Sequence, residues 1–185
     1  MPEHPDLNFV PRRVQTDPVA EALELFPYAL YIVGSRGSDN INGMMADWVM
    51  QVSFEPRLVV VALERTATTL RNLKETGVFT VNVLNTPDIE IARKFAQPRA
   101  ASKIVGRSEA GAAVIHDKLR DVPYQRGPLT ECPILDAALG YIECEVESFS
   151  EAGDHVLALG RVIGGAALRD GNPLISRDLG WSYAG

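Results

Sequence analysis

One short run of the sequence, residues 42–48 (NGMMADW), combines the residue types that could hold a planar ligand. Gly43 would let a ligand approach the backbone closely, because glycine has no side chain. Met44, Met45 and Trp48 place apolar groups beside backbone amides, which could hydrogen-bond the edge of a heterocycle. The same run could instead be a strand that enters the core and buries Trp48, since aromatic side chains are often core residues.

A second group of residues could bind a phosphate. Arg65 carries a planar fork of donors that matches phosphate oxygens, and the hydroxyls of Thr66, Thr68 and Thr69 follow it. The alternative is a solvated turn followed by an ordinary helix cap, because threonine is common at that position. The residues alone do not decide between the two.

The third candidate is the pair Asp154-His155. An imidazole changes its charge near neutral pH, so His155 could orient a substrate or donate to a reacting group. The simpler interpretation is a hairpin histidine that makes a local hydrogen bond.

Several standard sites have no support in the sequence. It contains no G-x-G-x-x-G after a strand, no G-x-x-x-x-G-K-[ST] and no G-x-S-x-G, so a Rossmann site, a P-loop and a nucleophile elbow are not expected. The histidines, His4, His116 and His155, lack metal-ligand spacing, and we expect no metal site. A cofactor would therefore be held by the loops of a β scaffold.

The elements that must position these residues are short strands and helices. The patterns predict strands at residues 29–34, 45–54, 58–63, 78–84, 139–149 and 155–163, and helices at 19–26, 68–75 and 88–95. Asp17 and Pro18 mark the start of the first helix, a threonine is expected to cap the second, and Gly77 ends it. About six strands with few helices favour a mainly β fold, an antiparallel barrel, over a doubly wound sheet.

The less regular segments have separate interpretations. Residues 97–133 are rich in proline and predict a long excursion over the scaffold, of a kind that is often functional. Residues 1–18 contain four prolines and predict an extended arm, which leaves 19–185 as the single domain. In the strand at 139–149, Glu143, Glu145 and Glu147 are expected to form a solvated face.

Composition narrows the class of protein further. Hydrophobic residues make up 46% and charged residues 23% of the chain, as in ordinary globular proteins. The net charge of −6 argues against a nucleic-acid partner. The sequence has neither a membrane-length apolar run nor a signal-peptide core, so we expect a soluble, cytoplasmic protein with no membrane association. Cys132 and Cys144 are expected to be reduced structural thiols.

Three segments then form a pattern when they are taken in order. The run N-G-M-x-A-x-W is followed by Q-V-S-F-E-P-R-L-V-V-V-A-L and by T-x-x-x-L-x-x-x-G-x-F-x-V-N-V-L. A later A-G-D-H at residues 152–155 precedes Gly160 and Val162. Together, over roughly residues 26–175, they resemble the flavin reductase-like family of FMN-binding split-barrel proteins. The ordered set is far more specific than any one segment.

The resemblance implies a six-stranded antiparallel split barrel and a homodimer that binds flavin near the subunit interface. It also implies hydride transfer from a reduced nicotinamide to that flavin. The residues expected to line the isoalloxazine and ribityl chain are Asn42, Gly43, Met44, Met45, Ala46, Asp47 and Trp48, and those expected near the phosphate are Arg65, Thr66, Thr68 and Thr69. The predicted catalytic residues are His155 and Asp154, near the nicotinamide or the reduced flavin.

Two residues, Met45 and Asp47, depart from the family pattern. Members commonly have Thr-Ala-Ser or Thr-Ala-Asn where this chain has Met45, Ala46 and Asp47. The lost hydroxyl removes a hydrogen bond, and a carboxylate would repel a phosphate. We therefore expect Asp47 to face the ring edge or the ribityl hydroxyls, or to point away.

The leading hypothesis is an NAD(P)H-dependent flavin reductase that uses FMN, or FAD, with NADH or NADPH as the reductant. Its reduced flavin could serve a separate oxygenase. An alternative is an FMN-binding protein that stores or senses flavin without turnover, because a fold does not by itself establish an activity. A third hypothesis is an oxidase or reductase whose organic substrate is held by residues 97–133. Trp181 and Tyr183 could close over the flavin or pack at the dimer seam.

Overall fold

A computed structural model describes residues 17–96 and 116–179. Most of the predicted arm, residues 97–115 of the excursion, Trp181 and Tyr183 lie outside the described residues. The strands are β1 (Tyr31–Arg36), β2 (Ile41–Ala46), β3 (Val49–Phe54), β4 (Arg57–Glu64), β5 (Val78–Val83), β6 (Tyr124–Arg126), β7 (Pro133–Leu135), β8 (Gly140–Ala152) and β9 (His155–Ala167). The helices are α1 (Pro18–Leu23), α2 (Thr68–Thr76), α3 (Ile89–Ala96) and α4 (Ser176–Leu179), and a 3₁₀ turn at Thr86–Asp88 precedes α3.

Seven strands form one antiparallel sheet in the order β2-β1-β5-β8-β9-β4-β3. The two edge strands, β2 and β3, are consecutive in the chain and only Asp47 and Trp48 separate them. Because so short a link cannot cross an open sheet, the sheet has to curl around a core. The predicted antiparallel split barrel is confirmed, with seven strands in the sheet where six were expected.

The predicted strand at residues 45–54 is wrong in its extent. The chain bends at Asp47, so that β2 ends at Ala46 and β3 begins at Val49. Residues 41–44 were not predicted as a strand, because Asn42 and Gly43 have low strand propensity. Tertiary pairing with β1 along the whole of β2 overrides that preference.

Helix α2 closes the barrel. Its residues Leu70 and Leu73 are buried in the core formed by β1, β2, β4, β5, β8 and β9, and Gly77 ends the helix in the left-handed conformation at φ 69°, as predicted. The N-cap residue is Ala67, which has no capping side chain. The expected threonine cap is therefore wrong, since Thr68 is the first residue inside the helix.

A second core lies on the other face of β1 and β2. There α3 contributes Ala92 and Phe95, which pack with Ile32 and Met45. Strand β2 therefore lies between two separate cores, and its successive side chains alternate between them.

The two cysteines agree with the prediction of reduced thiols. Cys132 and Cys144 are buried free thiols. Burial raises the pKa of Cys132 to about 11 and that of Cys144 to about 12, so neither forms a thiolate at neutral pH. Among the described residues, no helix is both long and apolar enough to cross a membrane.

Glu143 corrects the prediction of a solvated glutamate face. Glu145 and Glu147 are exposed and pair with Arg161, but Glu143 is only 1% exposed. Glu143 lies on the face of β8 opposite the core residue Cys144, as the alternation predicts, but the loop between β6 and β7 covers it there. Local alternation cannot predict a cover that comes from another part of the chain.

The buried carboxylate of Glu143 fastens the loop between β6 and β7. Its Oε2 accepts hydrogen bonds from the amide of Leu129 (3.1 Å), the amide of Thr130 (2.8 Å) and the hydroxyl of Thr130 (2.7 Å). The described part of the predicted excursion is therefore an ordered hairpin, β6–β7, held by a carboxylate from the barrel wall.

We expect Glu143→Gln to destabilise the fold by about 2–3 kcal/mol, because a neutral amide oxygen accepts these three hydrogen bonds more weakly than a carboxylate oxygen does. The melting temperature should fall by roughly 5–10 °C, measured by a thermal melt. Glu147→Gln is the matched control and should change it by less than about 2 °C. Equal melting temperatures for the two variants would contradict this role of Glu143.

Candidate functional site

Trp48 and His155 meet where the two edges of the sheet come together. His155 begins β9 opposite Glu64, the last residue of β4, and Trp48 immediately precedes β3. Their ring centroids are 4.9 Å apart with an interplanar angle of 49°. Trp48 is half-buried and not a core residue, while His155 is 7% exposed. The pair thus forms a sheltered surface that one side of a planar ligand could contact.

Two further aromatic rings extend this surface outward, and the sequence analysis missed both. Tyr28 lies 6.5 Å from Trp48 between ring centroids, and Phe26 lies 6.3 Å from Tyr28. Phe26 is 56% exposed. The spacing in the sequence carries no signal for this row, because closure of the sheet is what brings Trp48 to the segment before β1.

A hydrogen bond fixes the orientation of His155. Its Nδ1 lies 2.7 Å from Asp154 Oδ1. The hydrogen bond from His155 and its charge hold the pKa of the Asp154 carboxyl below its usual value, so an ionised Asp154 accepts a proton-bearing Nδ1. Within the described part of the chain no residue hydrogen-bonds Nε2, and Nε2 is not among the buried unpaired atoms. Nε2 is therefore the nitrogen that His155 can offer to a ligand.

Asp47 lies close to the same histidine. Burial raises the pKa of the Asp47 carboxyl, while the amides of Asp47 and Trp48 and the charge of His155 oppose that rise. An ionised Asp47 therefore carries a desolvation cost. Together with Asp154 it makes the surroundings of His155 acidic.

Arg65 does not have the free guanidinium that phosphate binding was expected to use. Its Nε and Nη2 donate to the carbonyl of Gly153 at 3.0 and 2.8 Å, and its Nη1 lies 2.6 Å from Glu151 Oε2. The Arg65 amide also donates to the Asp154 carbonyl at 3.3 Å. Arg65 thus fastens the turn that carries Asp154 and His155, and these contacts correct its predicted role.

The predicted binding run in β2 is divided between the two faces of the strand. Met44 and Ala46 pack in the barrel core, and the Asn42 amide donates to the Thr69 hydroxyl at 3.3 Å. Gly43 and Met45 face the second core, where a Cβ on Gly43 would lie 2.4 Å from the Phe95 ring. The missing side chain of Gly43 therefore makes room for Phe95, which corrects the expected close approach of a ligand. The structure brings Asp47 and Trp48 to His155, but not the whole run.

The start of α2 has features that suit an anion. The N-cap residue Ala67 makes no side-chain cap hydrogen bond, and a helix N-terminus carries partial positive charge. Thr66 is exposed and Thr68 half-buried, whereas Thr69 is buried at 1%. Asn42 Oδ1 is buried without a hydrogen-bond partner among the described residues. These donors and this unsatisfied acceptor fit the phosphate and hydroxyl groups of a flavin nucleotide.

The sequence model of the family described as "flavin reductase like domain" matches residues 23–179 of this chain. The chain belongs to this family. A flavin reductase (NADH) of Kitasatospora aureofaciens is 28% identical over 170 residues, which are 89% of this chain and 81% of the relative. The predicted family and enzyme class are therefore confirmed, and both findings favour flavin reduction over flavin storage.

Solved structures of flavin reductases share the fold. A Streptomyces globisporus NADH:FAD oxidoreductase in complex with NAD and FAD fragments has a TM-score of 0.69 at 25% identity, with 83% of each chain covered. The flavin reductase component of a bacterial two-component tryptophan halogenase has a TM-score of 0.67 at 26% identity, with 81% of this chain and 86% of that chain covered.

We expect Asp47→Asn to stabilise this flavin reductase at neutral pH. Because the folded-state pKa of Asp47 is raised, its contribution to stability is full below the unfolded pKa near 3.8 and is lost as pH rises through the folded pKa. Asparagine cannot ionise, so the variant keeps this stability at neutral pH. Its melting temperature should therefore be higher than that of the wild type by roughly 1–3 °C at pH 7 and equal to it at pH 3.

Asp154→Asn provides the opposite control. The folded pKa of Asp154 is lowered, so its contribution is present above the unfolded pKa and is lost as pH falls through the folded pKa. This variant should melt at a lower temperature than the wild type at pH 7 and at the same temperature in acid. A decrease for Asp47→Asn at pH 7 would show that the Asp47 carboxylate is needed for the fold.

Proposed function

We propose that this chain binds FMN beside Trp48 and His155 and reduces it with NADH or NADPH. The single observation that carries the proposal is the Trp48–His155 pair, in which Asp154 fixes the histidine and leaves its Nε2 available. The row of Phe26, Tyr28 and Trp48 continues the apolar surface that two stacked planar ligands would require.

Charge favours one orientation of the flavin in this site. Asp47 and Asp154 make the His155 end acidic, which suits an uncharged ring better than a phosphate. The uncapped first turn of α2, with Thr66 and Thr68, would hold the phosphate. Arg65 would act indirectly, because its donors hold the Gly153 turn.

A bound flavin supplies the redox chemistry, since it accepts a hydride from a reduced nicotinamide. The side chains of this chain would then need only to bind, orient and exclude water. His155 would present Nε2 to the nicotinamide or to the reacting edge of the ring, and Trp48 would cover one side of the ligands. NADH is the reductant named for the Kitasatospora relative, and FAD fragments are named for the Streptomyces structure, so both FMN and FAD need to be compared.

We expect the purified protein to bind FMN, with a shifted visible spectrum, and to bleach that flavin when NADH is added without oxygen. His155→Gln should slow the reduction about 10–100-fold and change the Kd for FMN less than about twofold, because the side chain would act on the second substrate and the transition state. Stopped-flow absorbance and an FMN titration measure the two quantities.

The control for this experiment is Glu147→Gln, an exposed change in β8 at a carboxylate that pairs with Arg161. It should leave both the rate and the Kd unchanged. Failure to bind either FMN or FAD would refute the site, and binding without bleaching would refute the activity. Multiple turnovers of NADH with excess FMN would exclude pure storage. An unchanged rate in His155→Gln, with a lowered melting temperature, would leave His155 a hairpin residue.

We also propose that the protein forms a homodimer through the edge strand β3. Its side chains Met50, Val52 and Phe54 are 62%, 45% and 86% exposed, in the strand that begins next to Trp48. Exposed apolar groups in a row on an edge strand commonly mark an interface. A second copy on this strand would lie beside the flavin site.

The cytoplasmic location of the protein and an oxygenase that uses its reduced flavin both stay predictions. A reductase of similar fold serves a two-component halogenase, which makes a partner of this kind the one to test.

Light scattering should give the wild type twice the mass of one chain, and Val52→Asp the mass of one chain, because an aspartate cannot be buried unpaired at low cost. Lys74→Asp, an exposed charge change on α2, should leave the mass of the wild type unchanged. A monomeric wild type with tightly bound FMN would remove the interface from the proposal.

A further inference from the structure

The described residues also form a cavity that the proposed flavin site does not use. It has a volume of about 780 Å³, within the range of small-ligand sites. It lies between the β1–β2 hairpin and the segment that leads from Asp117 to β6. Its wall includes Arg36, Arg120, Arg126 and Tyr124.

The cavity is separate from the flavin site. Tyr31 of β1 pairs with Ala46 beside the Asp47–Trp48 link, whereas Arg36 at the other end of β1 pairs with Ile41. Five residues of strand correspond to roughly 16 Å. Ile41 packs toward the second core, on the opposite face of β2 from the contact of Asn42 with α2.

Two arginines of the cavity have no carboxylate partner among the described residues. The three acidic residues of the cavity are already engaged: Asp39 lies 3.6 Å from Arg71, Asp117 accepts from the Leu119 amide at 3.2 Å, and Glu131 lies 3.9 Å from Arg36. Arg120 and Arg126 are exposed, and neither guanidinium forms an ion pair with a described residue. Two guanidinium groups in one polar cavity match the oxygens of a phosphate.

The loop next to Arg126 is held rigidly in an uncommon conformation. Glu131 has φ 58°, in the left-handed region that costs a non-glycine residue about 1 kcal/mol. Hydrogen bonds from the loop to Glu143, and from Arg36 Nε to the Thr130 carbonyl at 2.8 Å, keep it there. The cavity wall is thus fixed before any ligand binds, which lowers the entropic cost of binding.

We propose that this cavity binds a small phosphorylated ligand of nucleotide size, a nucleoside monophosphate. Arg120 and Arg126 would take the phosphate, the hydroxyl of Ser38 could hydrogen-bond a ribose, and the half-buried ring of Tyr124 would contact the base. The site would work independently of the flavin site.

Calorimetric titration of AMP into the FMN-saturated protein tests this site. Saturating FMN keeps AMP from reporting the flavin site, so the outcome does not depend on the activity proposed above. We expect one AMP per chain with a Kd below about 1 mM, and adenosine should bind at least tenfold more weakly, because it lacks the phosphate. Arg120→Gln/Arg126→Gln should weaken AMP binding about tenfold or more, since both charged donors are lost.

The matched control is Arg57→Gln/Arg161→Gln, which removes the same charge from β4 and β9. It should change the Kd for AMP less than about twofold. The single variants Arg120→Gln and Arg126→Gln, each with its melting temperature, guard against loss of folding in the double variant. The absence of AMP binding at about 10 mM, equal weakening by the control pair, or release of FMN by AMP would overturn the proposal.

Discussion

The structure depends on the two-residue link between β2 and β3. Seven strands could form an open sheet with distant edges, but Asp47 and Trp48 tie those edges together. Closure then encloses the core that α2 completes. The same closure brings the end of β2 against the start of β9, so the constraint that shapes the barrel also creates the contact between Trp48 and His155.

Polar contacts, both exposed and buried, complete what closure begins. Arg65 joins the end of β4 to the turn at Gly153, and Asp154 in the same turn orients His155. At the other end of β1, Glu143 holds the β6–β7 loop through three hydrogen bonds. A buried carboxylate is costly unless it is fully bonded, and here that requirement gives a surface loop one defined conformation.

Local signals in the sequence were sufficient for most elements. Hydrophobic alternation located β4, β5, β8 and β9, and Gly77 located the end of α2. They failed where tertiary contacts decide: pairing with β1 makes a strand of Asn42 and Gly43, and the loop between β6 and β7 covers the outward-facing Glu143. The predicted site residues Trp48, Asp154 and His155 do lie close together, whereas Tyr28 was not predicted, since only closure of the sheet brings it near Trp48. Arg65 was assigned to a ligand because its partner, the Gly153 carbonyl, is 88 residues away.

The division of β2 between two cores limits where this chain can vary. A larger residue at position 43 would collide with Phe95, and a change at position 44 or 46 would disturb the barrel interior. Asp47, in contrast, lies just beyond the strand and belongs to neither core. Substitution at Asp47 can therefore alter the charge and hydrogen bonding beside His155 without repacking the scaffold, and Asp47 is one of the two residues, with Met45, at which the sequence differs from the family pattern.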